Sequence, residues 1–177
     1  MLFELIATFA AGFCLAGLVM ALRWLLRGRG LPAWTVPLAA GLGMLSYAVW
    51  SEYTWLDRAS GTLPPSVEVV STNEVQVWYR PWTYVVPQVD RLIALDRAEL
   101  KRNPAQPGKV LGGVILMGRW EPTRRFGAMF DCRERRRADL LDGVRFDEAG
   151  DLVDARWIDL PGDDPLLAAA CREDPAA

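Results

Sequence analysis

Two long apolar stretches at the start of the chain limit what it can fold into more than any other feature. Residues 5–26 carry one charge, Arg23, near their end, and residues 31–50 carry none. At about 1.5 Å per residue each stretch is long enough as a helix to reach across a ~30 Å hydrocarbon layer. A soluble helix of that length needs a polar side, and neither stretch has one. The alternative, a signal peptide followed by a core helix, fits poorly. The acidic start Met1-Leu2-Phe3-Glu4 and the long apolar run are unlike a secretory leader. The expectation is a transmembrane helical hairpin over residues 1–50.

Orientation follows from the basic residues beside the spans. Arg23, Arg27 and Arg29 cluster in the connecting turn, the N-terminal tail has no Lys or Arg, and the segment after residue 50 holds Glu52, Asp57 and Arg58. The positive-inside rule puts the turn in the cytoplasm and both termini outside. The expected location is a bacterial inner membrane with the C-terminal part in the periplasm. Trp24 and Trp34 then mark one interface, and Tyr47, Trp50, Tyr53 and Trp55 the other. Small residues suited to helix contact lie at Ala10, Cys14, Gly17 and Ala21 in the first span and at Ala39 and Gly43 in the second. They serve either the hairpin itself or a larger complex. Pro37 predicts a modest kink.

The chain has 177 residues, so a domain of ordinary size follows the hairpin. Of 20 basic and 22 acidic residues, Arg23, Arg27, Arg29 and Glu4 belong to the hairpin, which leaves 17 and 21 and a net charge of −4 outside it. That balance excludes a nucleic-acid footprint. Cys132 and Cys171 are the only cysteines outside the hairpin, where Cys14 is a small apolar residue. In an oxidising compartment they are expected to form a disulfide, the alternative being two buried thiols. With no histidine and no CxxC, no metal or other cofactor is expected.

Residues 51–65, ending in Leu63-Pro64-Pro65, read as a stiff linker, and residues 66–177 as a β-rich periplasmic domain. Strands are expected at 67–72, 74–79 and 91–96. A central strand is expected at 110–120, with a bulge at Gly112-Gly113, pairing through Glu121-Pro122-Thr123 with 125–132. Residues 82–86, bracketed by Pro81 and Pro87, read as an extended edge, and residues 96–100 as a brief helical turn. Further strands at 136–141, 144–146 and 152–160 follow, the last two joined by Asp147-Glu148-Ala149-Gly150. Asp164 and Pro165 start a terminal helix as N-cap and first residue. The expected class is α+β: a transmembrane helical hairpin, then a small antiparallel β-rich domain with a C-terminal helix.

A pattern runs from Asp96 to Leu100, through the strand ending at Trp120, to Phe130-Asp131-Cys132 and an Arg-bearing strand, and continues through Gly150, Trp157 and Pro161 to a helix ending at Cys171. With that pattern, residues 90–171 resemble the surface-adhesin protein E-like periplasmic domains. The two spans and the Pro161-Gly162-Asp163 step depart from that pattern. The resemblance implies a disulfide-closed β-rich fold without catalysis, and no adhesion role comes with it. The whole chain is also similar to uncharacterised small bacterial two-span inner-membrane proteins.

Catalytic readings are thin. The usual base for a Ser or Cys nucleophile is missing, and the pairs Asp163/Asp164 and Asp139/Asp142 are better read as caps and turns. The arginines Arg133, Arg135, Arg136 and Arg137 form an anion or headgroup candidate, with alternate members in a row if the segment is a strand. A solvated face is the alternative. Trp78, Tyr79, Arg80, Trp82 and Tyr84 combine the residue types that dominate binding hot spots. They either dock a partner close to the membrane, fill the core, or rest on the bilayer. The function read from the sequence is a non-enzymatic accessory subunit of an inner-membrane complex. Its partners are membrane lipid and another inner-membrane or periplasmic protein. The alternatives are a tethered lipid- or ligand-binding module and, more remotely, a carboxylate-based envelope enzyme.

Overall fold

The computed structural model describes residues 2–26, 32–104, 106–140, 145–146, 152–153 and 155–172, and the chain divides into two units, Met1–Trp55 and Leu56–Ala177. The turn arginines Arg27 and Arg29, together with Asp142, Val144 and the 147–150 turn, lie outside the described residues.

The first unit is a helix pair. Helix α1 is Leu2–Leu25, and helix α2 is Thr35–Gly61, which runs on past the end of this unit. The pair is closest at two glycines. A Cβ on Gly43 would sit 2.7 Å from the Ala11 carbonyl oxygen, and one on Gly12 would sit 2.8 Å from the Met44 side chain. Only glycine allows that approach, the usual reason for small residues between helices. The contact face of α1 therefore passes through Gly12, whereas Ala10, Cys14, Gly17 and Ala21 are all exposed. Placing those four on the hairpin contact chose the wrong side of the helix. In α2, Ala39 and Gly43 are buried as expected.

Among the described residues, α1 is the one helix long and apolar enough to cross a membrane. It leaves Leu5, Ile6, Phe9, Phe13 and Leu18 uncovered, and an apolar surface of that kind is stable only in an apolar surrounding. The two-span hairpin expected from the sequence is reduced to one span by this measure. Helix α2 starts only at Thr35, and Gly41, Gly43, Ser46, Tyr47 and Ser51 dilute its apolar content. Pro37 falls in the first turn of α2, where its missing N–H has no helical partner to lose, so no kink is needed.

The linker expected at residues 51–65 is largely helix. Nothing between Ser51 and Ser60 breaks one; Gly61 ends it and Pro64-Pro65 prevents its return.

The second unit is an antiparallel sheet under a short helix. Its strands are β1 (Val67–Val75), β2 (Gln88–Arg102), β3 (Lys109–Gly118), β4 (Arg124–Asp131), β5 (Arg136–Leu140) and β8 (Trp157–Asp159), ordered β1-β2-β3-β4-β5-β8. The strands β6 (Arg145–Phe146) and β7 (Leu152–Val153) pair separately as a small hairpin. Strand β3 is interior, and its hairpin with β4 begins at the Leu116 to Arg124 pair.

Residues 97–100 are not a helical turn. They form an irregularity in β2 between the Asp96 to Gly113 and Lys101 to Leu111 pairs. Gly112 and Gly113 lie opposite and make room for it: a Cβ on Gly112 would come within 2.9 Å of the Leu100 side chain, and one on Gly113 would collide with the Glu99 carboxylate. The bulge expected at these glycines is present, with the extra residues supplied by the neighbouring strand.

One face of the sheet and helix α3 (Pro165–Cys171) enclose the core of Leu95, Val110, Val114, Ala128, Phe130, Leu166, Leu167, Ala169 and Ala170. Asp164 caps α3 as expected, its Oδ1 accepting from the Leu167 N–H at 2.8 Å. Alternation along the strands puts Leu92, Ala94, Ile115, Met129 and Ala138 on the other face, and these are buried too.

Candidate functional site

Cys132 and Cys171 form a disulfide with Cα atoms 5.8 Å apart, joining the end of β4 to the last turn of α3. The Cys132 N–H donates to the Gly108 carbonyl at 2.8 Å, which fixes this corner to the loop before β3.

Beside the disulfide lie the four arginines, and the row expected along a strand is not formed. Arg133 and Arg135 belong to the turn between β4 and β5, with Arg135 in the left-handed region at φ 53°. Asp131 organises that turn. Its Oδ1 accepts from the N–H groups of Arg133 (3.2 Å) and Glu134 (3.1 Å), and its Oδ2 accepts from the Arg136 guanidinium at 3.2 Å. Arg136 also lies over the Trp157 ring at 4.7 Å, and Arg137 pairs with Asp139 at 2.8 Å. Two of the four charges are thus neutralised in place. A Cβ on Gly108 would meet the Arg133 side chain and one on Gly162 the Arg135 guanidinium, so these side chains follow the surface instead of gathering.

Burial raises the pKa of Asp131, but the Glu134 N–H, the Arg136 guanidinium and the Arg133 N–H together outweigh it and hold the carboxyl below its ordinary 3.8. A depressed carboxyl contributes stability above its unfolded pKa and loses that contribution as the pH falls through the folded value. Asp131→Asn is expected to cost about 2 kcal/mol at neutral pH, the range for hydrogen bonds to charged groups. Thermal unfolding in mild detergent should show the gap between variant and parent closing as the pH drops below 3.8.

The aromatic segment is built differently from the extended edge expected of it. Residues Pro81–Tyr84 form a short 3₁₀ helix. Thr83 is completely buried beneath the loop: its hydroxyl donates to the Arg80 carbonyl at 2.7 Å and accepts from the Val77 N–H at 3.0 Å. The apolar side chains point outward instead of filling the core. Trp78 and Val85 are each 83% exposed, Tyr79 and Tyr84 about 60%, and Trp82 37%. Arg80 reaches back to donate to Gln88 Oε1 at 3.0 Å and lies 5.7 Å from the Tyr79 ring centre.

The strip is larger than the sequence indicated. Arg119 stacks on Trp120 at 4.7 Å, and both border a cleft of about 180 Å³ together with Tyr79 and Arg80. Trp120 is 52% exposed, although by sequence pattern it marks only the end of a strand. The Arg-Trp pair before Glu121-Pro122 was the available signal, since a residue at a hairpin end is under less pressure to be buried. A wider cavity of about 410 Å³ lies near Ile93 and Leu116, where Arg91 is tied to Glu121 at 2.7 Å.

Arg23, the topology residue inside the described chain, lies in the last turn of α1. Of the acidic pairs, Asp164 is the cap of α3 and Asp139 the partner of Arg137. Among the described residues no group of three or more His, Cys, Asp or Glu is placed to hold a metal ion. No protein family, curated protein or solved structure matches the chain.

Proposed function

We propose that the protein is a non-enzymatic, membrane-anchored envelope protein acting as an accessory subunit of a larger inner-membrane complex. One observation carries the reading: an uncovered apolar helix and a disulfide-closed sheet occur in one chain. The helix calls for a membrane and the disulfide for an oxidising compartment beside it. In this reading α2 returns through the bilayer as a second span. Arg23, Arg27 and Arg29 then hold the turn in the cytoplasm, and both termini and the sheet lie in the periplasm. The resemblance of residues 90–171 to surface-adhesin protein E-like domains accords with a disulfide-closed β-rich fold without catalysis.

The partner is another inner-membrane or periplasmic protein. Since Gly12 and Gly43 serve the α1–α2 contact, the small-residue face of Ala10, Cys14, Gly17 and Ala21 is left over, and a Cβ on Gly17 meets nothing within 4 Å. A partner helix packed there explains why that side of α1 stays small. A partner is expected to co-purify with the full chain in mild detergent and to be lost on Gly17→Leu, while Gly12 and Gly43 keep the pair together. Recovery of the parent protein alone, as a monomer, would overturn the accessory role. A second reading, a tethered lipid- or ligand-binding module, is favoured by the aromatic and arginine cleft beside Trp120.

A further inference from the structure

We propose that the loop of residues 78–86, extended by Trp120, is a lipid-docking surface that rests in the headgroup region of the membrane holding α1. The proposal rests on the membrane anchorage argued above and names the occupant of the aromatic strip as the bilayer.

Four observations carry it. Trp78, Tyr79, Tyr84, Val85 and Trp120 are all more than half exposed, an apolar display that water disfavours. The rings are Trp and Tyr, which pair an apolar body with a polar edge and concentrate at the headgroup level. Arg80 and Arg119, each beside one of these rings, put positive charge where anionic headgroups lie. The display is also held from within, because the buried Thr83 fixes the loop by its own hydrogen bonds, so little ordering remains to be done on contact.

The test uses spin labels on the full chain in vesicles of phosphatidylethanolamine and phosphatidylglycerol. Cys14 is exposed and is the free cysteine of the chain, so it reports on α1 directly. Cys14→Ser combined with Val85→Cys reports on the loop, and Cys14→Ser with Lys101→Cys on a site away from it. Collision with dissolved oxygen and with a water-soluble nickel complex gives the depth of each label. The expected result is a shift of the Val85 label toward the oxygen-rich, nickel-poor side, with the Lys101 label remaining in water. Ala at Trp78 and Trp82 should reverse that shift while the disulfide persists. A Val85 label as open to nickel as the Lys101 label overturns the proposal. So does one shielded from both colliders, which would mean that protein covers the loop. If the Cys14 label itself is in water, the anchorage has failed, and that outcome is distinct from a failure of the loop alone.

Discussion

Serine at both Cys132 and Cys171 is expected to lower the stability of the sheet unit by about 4 kcal/mol. The bridge spans 39 positions, and closing a loop of that length removes conformational entropy from the unfolded chain and so raises its free energy by roughly this much in the chain-entropy account. Helix α3 makes the dependence acute. With seven residues it is too short to persist alone. It stays because Leu166, Leu167, Ala169 and Ala170 are buried against the sheet and because its last turn is bonded to β4. Denaturant unfolding of parent and double-serine proteins measures the difference. Alkylation of intact cells before reduction tests the compartment: the two cysteines should resist, and free reaction of both would remove the case for a periplasmic sheet.

The parts of the fold that local chemistry decides were legible in the sequence. Asp164 and Pro165 announce α3 because a capping carboxylate and a first-turn proline need nothing beyond the helix itself. The β3–β4 hairpin follows from two strand patterns around Glu121-Pro122-Thr123. The disulfide was reached through compartment logic, since only two cysteines lie outside the helix pair.

The misreadings share a different origin. The polarity of residues 51–61 suggests a linker, but helices stop at glycine and proline, and the stop comes at Gly61. Pro81 fixes a φ that extended and 3₁₀ backbone both accept, and the deciding contacts, from Thr83 to Val77 and Arg80, are made only once the loop has closed. The choice between the Gly12 and Gly17 faces of α1 depends on a second helix, and no periodicity within α1 reveals it. The arginines failed to align because Asp131 draws the chain into a turn at Arg133. The aromatic strip was found by composition, while its outward direction and its extension to Trp120 needed the fold.

Phe130→Ala is expected to cost about 3–5 kcal/mol, the range for removing a fully buried aromatic ring. Among the described residues Phe130 is the largest side chain with no exposure, in the core beneath α3, and its ring edge lies 3.6 Å from where a Cβ on Gly112 would sit. Leu95 and Leu100 flank the same point, at 3.3 and 2.9 Å, so the cost depends on how far these side chains relax into the space the ring leaves. Phe130 also stands two residues before Cys132 on the strand that carries the disulfide, so its loss and the loss of the bridge act on the same seat of α3. Domains of this size are stable by only ~5–15 kcal/mol, so removing both should leave the sheet largely unfolded at room temperature. The two changes should be more than additive in near-ultraviolet circular dichroism, because each alone leaves the other to hold the helix. A loss below about 1 kcal/mol for Phe130→Ala would put the ring outside the core. Strict additivity would mean that the bridge acts on the unfolded chain alone and that α3 is held by Leu166 and Leu167.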